Sequence, residues 1–294
     1  MNEREMLIEI NRNSSAVHSE PELPEIPAQW EELATAQTTR KYKAVLFDVY
    51  GTLFSSAAGD IGISSLNQTE NNKAWENIKL PLNMAELRSF FLQKVKETHE
   101  KMKDRTQWPE VQADKIWEQF IKQHNANSGE ELNISAREFA LCYELAVNPA
   151  FPMPGALQTI IGLREQGCIL GIISNAQFYT PYLFEAFFGS TSEKLGFRKK
   201  LTIYSYKYRE AKPSPLLFET AAWRLIEQGI EPKDCAFVGN DMLSDIYGAQ
   251  KAGFQGILFA GDKRSLRLRE TDERVSGLKP SRIIRCLQEL VVRD

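Results

Sequence analysis

The sequence predicts an α/β protein with a doubly wound, parallel β-sheet and an all-helical domain inserted into it. Five short apolar runs alternate with amphipathic helical patterns, and they read KAVLFDV, CILGIISN, LTIYSY, CAFVGN and GILFA. Such alternation is typical of a parallel sheet that is covered by helices on both faces. About a hundred residues without a comparable run separate the first from the second, which is too long for a simple crossover.

The chain divides into three predicted parts. Residues 1–41 are predicted to form an extended N-terminal arm anchored by Ile26 and Trp30, with a disordered tail as the alternative, because EPELPEIPAQW supplies three prolines. Residues 42–54 and 149–294 are predicted to form the sheet core. Residues 55–148 are predicted to form the inserted domain, here called the cap, whose helical spacing places Leu87 and Phe91 on one face. Near the end, SRIIRCLQEL is expected to be a helix.

Composition narrows the class of partner. The chain has 36 Lys and Arg against 39 Asp and Glu, and its formal net charge of -3 is spread along the sequence. No basic tract indicates a nucleic-acid or membrane surface, so a small-molecule partner is expected, and the oligomeric state stays open. The four cysteines lie far apart, and the first ten residues lack the apolar core of a signal peptide. These features favour a cytoplasmic protein without a zinc site.

Ligands of open parallel sheets bind outside the carboxyl ends of the strands. Each of four predicted strands is followed there by polar residues. If the strands are neighbours, these residues converge on one crevice. The residues are Asp48 after the first run, Ser174 and Asn175 after the second, Lys212 after the third, and Asn240, Asp241 and Asp245 after the fourth.

These four strand ends together resemble the motifs of the haloacid dehalogenase superfamily of hydrolases. The matching stretches are LFDVYGTLF, IISNA, EAKPSPLLF and FVGNDMLSDIYGAQKAG, in that order. The resemblance runs from Tyr42 to Asp262 and implies a Rossmann-like core with a helical cap between the first two motifs. Four motifs in sequence are far more specific than one, since each alone also fits ordinary turn or helix-cap chemistry.

The resemblance implies a role for each matching residue. Asp48 is the nucleophile, which forms a covalent aspartyl intermediate. Thr52 offers hydrogen bonds near the leaving group or the transferred group, and Ser174 and Asn175 bind the oxygens of a phosphoryl or carboxylate group. Lys212 holds the charge of the nucleophile and the substrate, because a fixed cation keeps neighbouring carboxylates ionised.

Tyr50 departs from the phosphatases of this superfamily, which carry a second aspartate at its position. That aspartate protonates the leaving group and activates water, and such help is typically worth about 10²–10⁴ in rate. A tyrosine, with a reference pKa of about 10, is a poor base at neutral pH. The 2-haloacid dehalogenases of the superfamily carry a tyrosine in a similar DxYGTLF stretch, and halide leaves without a proton.

The fourth motif favours the opposite interpretation. GNDMLSD is close to the phosphatase pattern GDxxxND, with Asn240 in the usual acid position and Asp241 directly after it. Three carboxylates and one lysine give the predicted site a charge of about -2. Because carboxylates so close together cannot all stay ionised without a cation, a bound metal ion is expected. Mg²⁺ fits hard oxygen ligands, and the predicted set is Asp48, the carbonyl of Tyr50, Asp241 and Asp245.

The resulting prediction is a Mg²⁺-dependent phosphatase that acts on a small anionic phosphate ester. The alternatives are a metal-independent hydrolase like the 2-haloacid dehalogenases, and a binding protein on a degenerate scaffold. In the cap, the stretch DRTQWPEV makes Arg105 and Trp108 candidate substrate residues, although surface charges of this kind more often serve solvation.

Overall fold

The computed structural model describes residues 2–13, 21–35, 41–56, 83–128 and 131–292. Its centre is a six-stranded sheet with the spatial order β5-β4-β1-β6-β7-β8, in which every neighbouring pair is parallel. The strands are β1 (Ala44–Phe47), β4 (Ile169–Ser174), β5 (Phe197–Tyr204), β6 (Cys235–Gly239), β7 (Gln255–Phe259) and β8 (Arg282–Ile284). The predicted fold class is confirmed.

Helices cover both faces of the sheet. In chain order the described helices are α1 (Glu3–Asn13), α2 (Glu31–Thr35), α3 (Met84–Met102), α4 (Ala113–Asn127), α5 (Ala136–Val147), α6 (Ala156–Glu165), α7 (Thr180–Phe188), α8 (Ser192–Leu195), α9 (Ser205–Tyr208), α10 (Pro215–Ile226) and α11 (Gly248–Lys251). Val45 and Phe47 pack with α6 and α7, whereas Leu46 packs with α10. This division follows from the alternation of side chains along a strand.

The central strand β1 is apolar and buried along its whole length. Its last residue, Phe47, lies opposite Ile172 of β4 on one side and Val238 of β6 on the other. The main-chain amide of Asp48 then donates to the carbonyl of Val238 at 2.9 Å. The carboxyl ends of β1, β4 and β6 therefore meet at one edge, as the sequence predicts.

The cap is built on aromatic packing. Trp117 of α4 lies with its ring centroid 4.6 Å from that of Tyr143, 4.9 Å from Phe139 and 5.6 Å from Phe91. Helix α3 begins at an Asn83 cap, whose side chain accepts the amide of Ala85 at 2.9 Å. Aromatic rings bury large apolar areas, so this cluster gives the cap its own core.

A short antiparallel ribbon joins the cap to the core. It consists of β2 (Phe54–Ser56) and β3 (Ala150–Pro152), with Ser55 opposite Phe151. The chain therefore leaves and re-enters the core through two neighbouring strands.

The N-terminal residues are more ordered than an extended arm. Residues Glu3–Asn13 form α1, and Leu7 of this helix is fully buried in the cap cluster. Ile26 and Trp30 are buried against Met242 and Ile246 of the core. The expectation of an extended segment is wrong for α1, because one apolar face lets this stretch pack as a helix.

The C-terminal stretch also differs from its prediction. SRIIRCLQEL does not form a long helix: Arg282–Ile284 forms β8, and Leu287–Leu290 forms a single 3₁₀ turn. Ile283 is paired with Leu258 of β7 and is fully buried, as is typical of a β-branched residue in a sheet. No helix in the described part of the chain is long and apolar enough to span a bilayer.

Candidate active site

Asp48 and Lys212 form the centre of the candidate site. The Nζ atom of Lys212 lies 2.8 Å from Oδ1 of Asp48 and 2.5 Å from Oδ1 of Asp245. All three side chains are buried, since Lys212 is 5 % exposed, Asp48 8 % and Asp245 0 %. Burial opposes the charge of Lys212, but attraction to Asp245 and Asp48 outweighs this and raises the pKa of the lysine.

Asn175, directly after strand β4, holds the main chain of Lys212 in place. The main-chain amide of Lys212 donates to Oδ1 of Asn175 at 2.6 Å, and Nδ2 of Asn175 lies 3.5 Å from the carbonyl of Lys212. Ser174 is fully buried, and its hydroxyl donates to the carbonyl of Asn175 at 3.3 Å. The structure therefore brings Ser174 and Asn175 to the edge that carries Asp48, and Asn175 positions the lysine.

Asp245 is the most deeply buried acid of the site. It lies on a π-helical turn, Met242–Tyr247, and its Oδ2 accepts the main-chain amide of Asp241 at 3.0 Å. Burial raises its pKa to about 7, with Lys212 acting in the opposite direction and the charge of Asp48 adding to the rise. The attraction of Lys212 therefore offsets only part of the effect of burial on the pKa of Asp245.

Both side-chain oxygens of Asp241 accept hydrogen bonds from donors other than Lys212. Its Oδ1 caps the π-helical turn by accepting the amides of Leu243 and Ser244 at 2.8 and 2.9 Å. Its Oδ2 accepts Nε and Nη2 of Arg269 at 2.9 and 2.6 Å. The arginine compensates the charge of this carboxylate, and the two amides supply further hydrogen bonds to it.

The neighbouring Asn240 lies against Gly51 and Thr52, in the turn that follows Asp48. Gly51 has φ +81°, and a Cβ there would lie 2.7 Å from Nδ2 of Asn240. Thr52 donates its hydroxyl to Oδ1 of Asn240 at 3.2 Å, and Nδ2 of Asn240 donates to the carbonyl of Ser265 at 2.6 Å. The hydroxyl of Thr52, predicted to face the substrate, thus supports Asn240.

The predicted Mg²⁺ ligand set is not assembled in this arrangement. Asp241 is committed to Arg269, and both oxygens of Asp245 accept hydrogen bonds from Lys212 and an amide. Within the described ranges, no group of three or more His, Cys, Asp or Glu residues could hold a metal ion. The charge of about -2 inferred from the sequence does not include Arg269, which forms an ion pair with Asp241, and both the predicted ligand set and Mg²⁺ binding stay predictions.

Tyr50 is partly buried, and its hydroxyl forms a hydrogen bond within the core. Its oxygen lies 3.0 Å from Oγ1 of Thr180 at the start of α7. Burial, followed by the nearby charge of Glu144, raises the pKa of Tyr50 far above its ordinary value of 10.0. Tyr50 therefore stays protonated at neutral pH, in line with the predicted loss of acid-base function.

A cavity of about 310 Å³ adjoins these residues between cap and core, and Tyr50 and Asn175 contribute to its lining. The predicted substrate residues Arg105 and Trp108 do not belong to this lining. The Trp108 ring instead packs against the guanidinium of Arg274, 4.9 Å from the ring centroid. Trp108 therefore contacts a loop of the core outside the cavity, which sequence spacing does not reveal.

Two buried acids of the cavity escaped the sequence analysis, namely Glu110 and Glu144. Glu110 ends the Trp-Pro loop of the cap, and Glu144 stands in the run ALCYELAV of α5. A single acid inside an apolar helix is the signal that could have identified Glu144, because an acid is almost never fully buried without a reason.

The fold and this site define an α/β protein with a buried aspartate and lysine in contact at the carboxyl edge of a parallel sheet. Residues 42–253 match a family model described as haloacid dehalogenase-like hydrolase. The chain belongs to this family.

Individual relatives are distant. The Rhythmically expressed gene 2 protein of Drosophila melanogaster is 22% identical over 233 residues, which cover 74% of this chain and 83% of that protein. The glyceraldehyde 3-phosphate phosphatase of Methanothermobacter thermautotrophicus is 31% identical over 115 residues, 36% of this chain and 44% of that protein. A solved 2-haloacid dehalogenase of Pseudomonas syringae is 17% identical, with a TM-score of 0.51 over 85% of this chain and 96% of that chain. That structure supports the fold alone.

Proposed function

We propose that the chain hydrolyses a small phosphate monoester with Asp48 as the nucleophile. The observation that carries this proposal is the buried contact of Asp48 with the ammonium group of Lys212, 2.8 Å away at the open edge of the sheet. A carboxylate is a weak nucleophile, so it needs a fixed cation to stabilise the charge that develops on the transferred group.

The chemistry divides into two steps. In the first, an oxygen of Asp48 forms a bond to phosphorus while the bond from phosphorus to the ester oxygen breaks, and the departing alcohol takes a proton from water. In the second, the oxygen of a water molecule forms a bond to phosphorus while the bond from phosphorus to Asp48 breaks, which releases inorganic phosphate and restores the carboxylate. A proton of that water neutralises the hydroxide that the first step leaves. Lys212 and the groups at Ser174 and Asn175 would stabilise the phosphoryl oxygens throughout.

Two further facts support phosphate-ester chemistry. The relative with 31% identity over 115 residues is named as a phosphatase of glyceraldehyde 3-phosphate. In addition, Asp245 remains beside Asp48, where it orients Lys212 through a short contact. Because the described residues do not present the predicted ligand set, the mechanism uses no metal step, and Mg²⁺ dependence is a separate part of the proposal.

Tyr50 favours a second candidate, the hydrolysis of a 2-haloacid without metal. Its raised pKa makes the hydroxyl a poor proton donor, and a halide leaving group requires none. In this alternative Asp48 attacks carbon, displaces halide, and the resulting ester is hydrolysed by water.

The test compares both substrates with purified protein. We expect hydrolysis of 4-nitrophenyl phosphate that Asp48→Asn abolishes, while Asp234→Asn, which lies in an ion pair with Lys43, leaves it intact. Parallel assays with Mg²⁺ and with EDTA decide the metal requirement. Halide release from 2-chloropropionate in EDTA, without phosphatase activity, would establish the second candidate. The absence of both activities would instead support a binding protein.

A further inference from the structure

The cavity beside Tyr50 and Asn175 is the natural place for the organic part of a substrate whose phosphate lies at Asp48. Its volume of about 310 Å³ is at the small end of ligand sites in proteins. Phe91, Val95 and Val111 of the cap supply apolar lining. An apolar or aromatic body of modest size therefore fits it.

The carboxyl groups of Glu110 and Glu144 interrupt this apolar lining, and they differ in the number of hydrogen bonds that they accept. Glu110 accepts the amide of Val111 at 2.8 Å, the hydroxyl of Ser205 at 2.6 Å and Nε2 of Gln177 at 3.4 Å. These three donors, two from side chains and one from the main chain, give Glu110 a role in tying the cap loop to the core.

Glu144 has fewer partners. It accepts Nδ2 of Asn148 at 2.9 Å and a hydrogen bond from the hydroxyl of Tyr179. An ionised carboxylate offers about four acceptor positions, so these two donors occupy about half of them. Glu144 is 6 % exposed, it lines the cavity, and its charge acts on the adjacent Tyr50.

A buried carboxyl in an apolar wall is stabilised by any donor that a ligand brings to it. Burial raises the pKa of Glu144, because removal from water disfavours the ionised form. An ammonium or hydroxyl group of a ligand would replace hydrogen bonds from water that Glu144 loses on burial. An anionic group would instead be repelled by both Glu144 and Glu110.

We propose that Glu144 is a specificity-determining residue, which selects phosphate esters whose organic part carries a hydrogen-bond donor, a hydroxyl or an ammonium, over those that carry a carboxylate. This inference rests on the proposed function, because it assigns the phosphate to Asp48. The apolar wall of the cavity receives the body of the substrate, and Glu144 receives its donor.

The test measures binding rather than turnover. Benzylphosphonates with 4-aminomethyl, 4-hydroxymethyl, 4-methyl or 4-carboxylate groups carry a phosphonate that cannot be hydrolysed, and calorimetry gives their dissociation constants. We expect the two donors to bind about tenfold to a hundredfold more tightly than the carboxylate, as hydrogen bonds to charged groups predict. Glu144→Gln keeps the volume and an acceptor, and we expect it to remove most of the advantage of the ammonium.

The control is Glu138→Gln, on the same helix but outside the cavity lining, which should preserve the order of affinities. The inference is overturned if the carboxylate binds best, if no phosphonate binds, or if Glu110→Gln rather than Glu144→Gln removes the preference. Circular dichroism verifies that each variant is folded. If donors are preferred but 4-nitrophenyl phosphate is not hydrolysed, the proposed reaction fails while the assignment of the cavity stands.

Discussion

Replacing Lys212 by methionine tests the electrostatics of the site most directly. Methionine keeps much of the length of the side chain and removes its charge, while Asp48 and Asp245 remain buried. Breaking a buried ion pair by removing one partner typically costs about 3–5 kcal/mol, because a charge is left without compensation. Since two carboxylates lose the same cation, we expect the free energy of unfolding to fall by about this amount.

The loss should depend on pH in a defined direction. The pKa of Asp245, about 7 in the folded chain, lies above its ordinary value of 3.8 because of burial. Its contribution to stability is therefore present at low pH and is lost as the pH rises toward 7. Lys212 opposes the rise, so its removal raises this pKa further, and the variant should lose more stability near pH 8 than near pH 5.

The measurement is urea unfolding of the wild type and the variant at both pH values. The matched control is Lys43→Met, which removes a lysine from an exposed ion pair with Asp234 at 2.9 Å and should change stability little. A loss for Lys212→Met that equals the control, or one that does not shrink on acidification, would refute the reasoning.

Three further substitutions have defined outcomes. Gly51→Ala should lower the free energy of unfolding by about 1–3 kcal/mol in urea titrations, since φ is +81° and the new Cβ would meet Asn240; an unchanged midpoint would contradict this. Asp241→Ala removes the cap of the π-helical turn and the partner of Arg269, so we expect the free energy of unfolding to fall by about 0.5–2 kcal/mol in the same assay. An unchanged free energy would show that neither contact stabilises the fold. Tyr50→Asp supplies a candidate acid, and it should narrow the rate gap between 4-nitrophenyl phosphate and benzyl phosphate by up to about 10²–10⁴; an unchanged gap would argue against a missing proton donor.

The sequence predicts the sheet and the convergence of its strand ends because both follow from local patterns. A buried strand must be apolar, and polar residues at the ends of parallel neighbours share one edge, so Asp48, Asn175 and Lys212 could be placed together in advance. Strand β8 was missed because three residues carry too little periodicity to distinguish a strand from a helix.

The orientation of the fourth motif could not be predicted in the same way. Asn240 and Asp241 are adjacent, and only the direction of the main chain decides which of them meets the nucleophile turn. The distant Arg269 contacts Asp241 through a loop that follows β7, and no spacing in the sequence indicates this pair. Glu144 was missed for a related reason, since its surroundings depend on how cap and core are packed.

The β2–β3 ribbon marks the two places where the chain passes between the sheet core and the inserted cap. Ser55 and Phe151 are opposite each other, so the two ends of the inserted segment start and finish at the same place. A two-residue turn would be enough to join such strands, and the connectivity of the sheet does not require the segment between them. Asp48, Lys212 and Asp245 all belong to the sheet side of this junction, whereas Glu144 belongs to the other side. The insert can thus differ in length and sequence without any change in the order of the strands that carry Asp48, Lys212 and Asp245.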